Sequence, residues 1–276
     1  MASNVRHRGS RVSSQPSNDA DVEVPLQNIT LNGDIKIVLL GKTGVGKSST
    51  GNTILGEENA FRCGRQLSPV TRNSECKTRV VNGRSVSVID TSGFFIPNLP
   101  KEQLSEEFAR SVCLSGQGVD VFLFVVPYGR FTEQEEEILK RVQKVFGKDV
   151  LKHVIILFTY GDECDQMNMQ SEIDENDVIR RVIDRCQGYH VLNNRGLNDR
   201  EQVNDLLLKI DRMIERNGCY TNEMYKWAQM WPWEKFWKIF KEYFCAVMDY
   251  FSGKAKSLMM SIEEFITHTN KNDYTR

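Results

Sequence analysis

The sequence predicts an α/β fold. A mixed six-stranded sheet, mainly parallel, carries helices on its faces, and an amphipathic helical extension follows at the C-terminal side. Three observations predict it. Apolar, β-rich runs alternate with helical periods from residue 34 to residue 216, as in parallel sheets joined by crossover helices. Gly41-Lys42-Thr43-Gly44-Val45-Gly46-Lys47-Ser48-Ser49 fits G-x-x-x-x-G-K-S between an apolar run and a helical segment, the context this phosphate-binding motif requires. Asn82-Gly83 separates two β-rich runs, a hairpin signal that makes one edge strand antiparallel.

The elements follow in order. Residues 1–33 are rich in Ser, Asn, Arg and Asp without a period and read as a disordered arm. Asp34 to Leu40 is the first strand, and Ser49 to Leu55 is a helix that Gly56 ends. Residues 57–76 show no sustained period, and a loop of that length is usually functional or mobile. The hairpin arms are Lys77 to Val81 and Ser85 to Ile89, the second ending in Asp90-Thr91-Ser92-Gly93. After a loop with Pro97 and Pro100, Glu102 to Leu114 reads as a helix and Val119 to Val126 as a buried strand. Thr132 with Glu135 forms a capping-box signature for a helix ending at Phe146. Val154 to Phe158 is a strand, Asp174 to Cys186 one helix, and Tyr189 to Leu192 a short strand. Asn198 to Arg216 is a long helix with Leu206, Leu207, Ile210, Met213 and Ile214 on one face.

The motifs assign chemistry to this frame. Glycines let the backbone of residues 41–46 curl so that N–H groups point at phosphate oxygens, and the helix that follows adds its positive end. Lys47 is placed to reach β- and γ-phosphates, and Ser48 to offer its hydroxyl to Mg²⁺. Asp90 supplies a carboxylate near the metal, and Gly93 an N–H that can sense the γ-phosphate. Thr71, inside the long loop, can close over Mg²⁺ and phosphate, which makes that loop a switch. Phe158-Thr159-Tyr160-Gly161-Asp162 ends a strand, where the Asp162 carboxylate can accept from guanine N1–H and N2–H₂ together. Adenine offers no such donor pair, so GTP and GDP, not ATP, are the expected ligands.

In this order the motifs carry a resemblance. The chain resembles the immunity-associated GTPases (the GIMAP family), relatives of septins and of the chloroplast import receptors, over residues 34–228. The residues that carry it are Gly41 to Gly56, Val70-Thr71, Asp90 to Gly93, Gly129 to Thr132, Phe158 to Asp162, Leu192 to Arg195, and Asn217 to Tyr225. The resemblance implies a P-loop GTPase fold (a G domain). It also implies that Arg130, which matches the arginine of the Gly-Arg-Phe-Thr box, lies near a dimer interface and acts on a neighbouring nucleotide. From the residues alone, a helix-terminal surface arginine fits Arg130 equally well. Asn193 and Asn194 match the last guanine-contacting segment, with either one the contact. Tyr160 replaces a basic residue common in the family and either stacks on guanine or packs. Ser92 stands where the family usually has Pro. Phe94 stands where Ras-like enzymes have a water-orienting glutamine, so hydrolysis is expected to be slow and dimer-dependent, or absent. The resemblance thus implies self-association in the GTP state, with a GTP-binding membrane scaffold as the alternative.

Composition bounds the rest. The chain has 276 residues, 40% of them hydrophobic, with 36 Lys and Arg against 37 Asp and Glu. Nothing in this balance points to a general nucleic-acid binder, and no nucleic-acid partner is expected. Seven scattered cysteines without metal-ligand spacing, and a start lacking an apolar h-region, lead to the expectation of a cytoplasmic protein with free thiols. Residues 229–276 form the third segment. Phe236, Trp237, Phe240, Tyr243, Phe244, Val247 and Met248 recur there at helical spacing, with lysines interspersed. Three readings fit 229–268: packing on the domain, peripheral attachment to an intracellular membrane surface, or an interface with another subunit. Packing on the domain is preferred.

Overall fold

The computed structural model describes residues 33–64, 73–91, 101–162, 164 and 168–254. Thr71, Ser92, Gly93 and Phe94, and all of the expected arm but Gly33, lie outside them. The strands are β1 (Ile35–Leu40), β2 (Glu75–Val81), β3 (Arg84–Asp90), β4 (Val121–Pro127), β5 (Val154–Thr159) and β6 (Tyr189–Val191). They form one six-stranded sheet in the order β2-β3-β1-β4-β5-β6. Every pairing is parallel except that of β2 with β3. The hairpin turns at Asn82 (φ 51°) and Gly83 (φ 77°), the two positive φ values that a two-residue turn of this hand needs.

Why β1, β4 and β5 sit in the middle follows from their sequences. β4 (VFLFVVP) and β5 (VIILFT) are buried at every residue, which only strands covered on both faces tolerate. Their side chains alternate between two cores. Phe122, Phe124, Val126, Ile156 and Phe158 join one, while Val121, Leu123, Val125, Ile155 and Leu157 join the other. β2 is the polar edge, with Val80 75% exposed.

The helices are α1 (Lys47–Leu55), α2 (Lys101–Ser115), α3 (Glu133–Phe146), α4 (Met169–Glu175), α5 (Asp177–Arg185), α6 (Glu201–Asn217), α7 (Glu223–Met230) and α8 (Trp233–Phe251). The capping box at Thr132 and Glu135 is formed. Gly56 closes α1 in the left-handed region at φ 68°. One expectation is corrected. Residues 174–186 are not a single helix, because Asn176 leaves helical geometry and its Oδ1 accepts from Val178 N and Ile179 N. An Asn inside a helical period competes for backbone donors and starts a new helix instead. α7, capped by Asn222, is an element that the apolar periodicity of the sequence did not single out.

The C-terminal helix packs on the domain. Phe236, Phe240, Tyr243, Phe244 and Val247 of α8 belong to the same core as Phe108 of α2 and Phe146 of α3. Phe244 lies 5.0 Å from Phe108 and 6.0 Å from Phe240, centroid to centroid. The Tyr243 hydroxyl donates to the Lys144 carbonyl at 2.8 Å. Most of the aromatic stripe of α8 that could have served a membrane is therefore core; residues 255–268 of that expectation lie outside the described residues. Phe244→Ala is expected to cost about 4 kcal/mol and to lower Tm by on the order of 10 °C. Lys238→Ala, on the exposed side of α8, is expected to leave Tm nearly unchanged; thermal denaturation of both variants checks this.

Candidate functional site: a phosphate-binding loop and a base-side turn

The loop between β1 and α1 takes its shape from three glycines. Gly41, Gly44 and Gly46 have φ of 139°, 80° and 101°, which L side chains rarely adopt. Gly41 is also constrained by space, since a Cβ there would lie 2.5 Å from the Val125 carbonyl oxygen of β4. The Thr159 hydroxyl at the end of β5 donates to the Val45 carbonyl at 3.0 Å and pins the loop from across β4. Val45 itself is core, while Thr43 and Gly44 are exposed on the rim.

Lys47 is buried, and its ammonium donates to the carbonyls of Lys42 (2.8 Å) and Gly41 (3.2 Å). Burial pulls its pKa down to about 8, with the Asp90 carboxylate opposing the shift. Lys42 points elsewhere, pairing with Glu135 at 2.6 Å and donating to Gln134 at 2.8 Å on the first turn of α3. The Ser48 hydroxyl donates to Asp90 Oδ2 at 2.6 Å, so two hard oxygen donors from different elements meet beside the lysine. That donor set fits Mg²⁺, which takes few protein ligands and completes its shell with water and phosphate oxygens. Among the described residues no group of three or more His, Cys, Asp or Glu side chains could hold a metal as a dedicated cage. Ser49 contributes its carbonyl to Thr53 Oγ1 within α1.

Arg130 follows Pro127 at the end of β4 and precedes the Thr132 cap. Gly129 turns the chain at φ 71°. Arg130 shares with Lys42, Thr43 and Gly44 the lining of an open cleft of about 790 Å³ on the outer side of the loop. The structure therefore places Arg130 beside the phosphate loop.

The two segments that the sequence assigns to the base are a turn and a loop facing each other. Tyr160 continues β5 with φ 63°, a conformation uncommon for a non-glycine residue. Gly161 donates to the Leu192 carbonyl at 3.2 Å, and a Cβ on it would meet Asn193 N at 3.0 Å. Asp162 follows, and its carboxylate is ion-paired with Arg195. The two asparagines have separate partners. Asn194 accepts from Thr53 Oγ1 (3.0 Å) and donates to Thr50 Oγ1 (3.3 Å), both on α1. Asn193 Oδ1 accepts from Arg195 N at 2.9 Å.

Reasoning from the sequence missed four residues that hold the site. Arg195 and Gln202 belong to the base loop. Asn52 of α1 bonds the Phe61 N–H (2.7 Å) and the Glu58 and Phe61 carbonyls (2.6 and 3.0 Å), which sets the course of the chain leaving the helix. Arg200 donates to the Ile54 carbonyl at 2.8 Å and also to that of Thr53, capping the negative end of α1 with a cation. Arg195 and Asn52 lay inside quoted motifs but without an assigned role; Gln202 and Arg200 look like ordinary helix and loop polar residues. Arg200→Ala leaves two helix-terminal carbonyls without their charged donor. A loss of about 2 kcal/mol is expected, read by denaturant unfolding, with the midpoint falling and the slope unchanged.

The comparisons with known proteins agree with this geometry. The AIG1 family model matches residues 35–234. GTPase IMAP family member 8 of Mus musculus is 31% identical over 202 residues, which are 70% of this chain and 29% of that protein. Immune-associated nucleotide-binding protein 9 of Arabidopsis thaliana is 31% identical over 201 residues, 68% of this chain and 58% of that protein. The chain thus spans less than two thirds of either relative. Immune-associated nucleotide-binding protein 1 of the same plant is 30% identical over 225 residues, 75% of this chain and 93% of that protein. Among solved structures, Toc33 from Arabidopsis thaliana in complex with GDP and Mg²⁺ has a TM-score of 0.52 at 20% identity, over 68% of this chain and 87% of Toc33. A structure from work in which dimerization is important for the GTPase activity of the chloroplast translocon components atToc33 and psToc159 has a TM-score of 0.51 at 20% identity, over 66% of this chain and 83% of that one. These likenesses show the P-loop GTPase fold. With the family model matching most of its length, and with the motif resemblance borne out, this chain belongs to the AIG1 family.

Proposed function

We propose that this chain is a guanine-nucleotide-binding switch that takes GTP and GDP with Mg²⁺. It self-associates through its G-domain face in the GTP state and hydrolyses GTP slowly or on dimerisation. The observation that carries this reading is one arrangement at the strand carboxyl ends. The Lys47 cradle after β1, the Ser48–Asp90 pair (2.6 Å) at the end of β3 and the Asp162 turn after β5 all lie at the carboxyl ends of parallel strands, where ligands bind in open α/β sheets.

The roles follow from the chemistry of each group. Backbone N–H groups of residues 43–48 and the positive end of α1 receive the phosphates. Lys47 leaves its own loop's carbonyls for β- and γ-phosphate oxygens. Ser48 and Asp90 would hold Mg²⁺, which when bound neutralises charge on the β- and γ-oxygens. Asp162 accepts from guanine N1–H and N2–H₂. Arg130, on the cleft beside the loop, is placed to offer its guanidinium to a neighbouring molecule's γ-phosphoryl group as the bond to the β-phosphate oxygen breaks and water attacks. The dependence of Toc33 and psToc159 GTPase activity on dimerization supports the same route here. The seven cysteines carry thiols and not disulfides, which suits a cytoplasmic, reducing setting.

GTP turnover per molecule, measured against protein concentration, tests the hydrolytic route. It is expected to rise with concentration, and Arg130→Ala is expected to lower the high-concentration rate by about tenfold or more. Turnover near zero at every concentration, with GTP tightly bound, would instead favour the scaffold alternative. The phosphate role of Lys47 has its own test. Its pKa in the free protein is lowered to about 8 by burial, and a bound polyphosphate favours the charged form and raises it. Binding of GDP at pH 8 is therefore expected to take up about half a proton. The uptake should vanish toward pH 6.5, where the lysine is already protonated. Titration calorimetry in two buffers of different ionisation enthalpy measures it.

A further inference from the structure

We infer that Arg195 is a positioning residue for base selection: it holds the Asp162 carboxylate in the orientation that takes guanine N1–H and N2–H₂ together. The inference rests on the reading of Asp162 as the guanine acceptor and goes beyond it.

The geometry has three parts. First, the pairing is one-sided. Arg195 reaches Asp162 through Nη1 to Oδ2. A carboxylate has about four lone-pair sites, so a single N–H leaves both oxygens able to accept from a base. Second, Asp162 needs such a hold. It lies on an exposed turn after β5, with its side chain 24% exposed, where an unpaired carboxylate would rotate among several orientations. Two acceptor sites aimed at two donors require one orientation.

Third, Arg195 is itself anchored to rigid structure. Its backbone N–H is fixed by Asn193 Oδ1 at 2.9 Å. Gln202, on the first turn of α6, spends its whole amide on the same loop. Its Oε1 accepts from Asn193 N at 2.8 Å, and its Nε2 donates to the carbonyls of Asn193 (3.2 Å) and Gly196 (2.9 Å). The chain of support thus runs from α6 through Gln202 and the loop backbone to Arg195, and from there to the carboxylate. The Arg195 side chain itself closes no core, since it is 64% exposed. An ion pair this exposed contributes little to stability, so its purpose is to be sought in what the carboxylate binds.

The test compares GDP with inosine diphosphate, which keeps N1–H and lacks the N2 amine. Dissociation constants for both are measured on the full chain, for the parent, Arg195→Ala, Arg195→Lys and Asp162→Asn. Arg195→Ala is expected to weaken GDP by about fivefold and inosine diphosphate by less than twofold, so that the preference for GDP shrinks. Arg195→Lys, which keeps one charged donor, is expected to retain most of that preference. Equal weakening of the two nucleotides by Arg195→Ala would mean that the residue merely supports the loop, and the inference falls. Tighter GDP binding by Arg195→Ala would mean that the arginine competes with the base, and it falls as well. Asp162→Asn separates the two levels. If it leaves the GDP preference intact, Asp162 is not the guanine acceptor and both readings fail. If it abolishes the preference while Arg195→Ala does not change it, only the positioning role is lost.

Discussion

A buried ammonium held by the carbonyls of its own loop is the constraint on which the rest of the structure depends. Lys47 loses its hydration on burial, as its depressed pKa reflects, and it stays charged only where oxygens replace that water. The Gly41 and Lys42 carbonyls supply them. They point inward only because Gly41 adopts φ 139°. Gly41 can do so beside β4 only because it lacks a Cβ, which would strike the Val125 carbonyl. The sheet order that makes β4 the neighbour of β1 is therefore part of the phosphate site, and the doubly buried sequences of β4 and β5 enforce that order.

The same helix that carries Lys47 and Ser48 is held at its other end by the base side. Asn194 bonds Thr50 and Thr53, and Arg200 bonds the carbonyls of Thr53 and Ile54. Gly46, at φ 101°, turns the chain into α1 beside the Asn194 amide. On the proposed reading, the loop that would meet the base and the helix that would meet the phosphates thus share side-chain hydrogen bonds. A nucleotide bridging the two binds a single preorganised unit, which limits the ordering that binding must supply. The C-terminal helix stands outside this unit but shares the core with α2 and α3, the latter beginning at the cap next to Arg130.

Much of this was legible beforehand, for identifiable reasons. The phosphate loop has a spacing dictated by backbone geometry, so local sequence suffices to recognise it. The Asn82-Gly83 turn and the Thr132–Glu135 capping box are short-range hydrogen-bond patterns and appear where the residues stand. The break at Asn176 was hidden because Asp174 and Glu175 suit the first turn of one helix as well as the last turn of another, and only the cap bonds distinguish one helix from two. Gln202 and Arg200 were hidden for a different reason. Their partners lie 6 to 147 residues away, and a polar residue on a helix flank carries no mark of what it will meet.

By itself, then, the sequence determined the strand–loop–helix unit, the alternation that makes a parallel sheet, the edge hairpin and the residue types able to meet phosphate, metal and guanine. These are properties of neighbours along the chain, where φ preferences and periodicity act. Only the tertiary structure decided that Asn194 serves α1, that Arg195 sits on Asp162, and that the aromatic face of α8 is core rather than surface. Each is a choice among partners brought together by folding. Hydrogen-bonding capacity and apolar area say that a partner is required, and the packing of the sheet and its helices says which one is within reach.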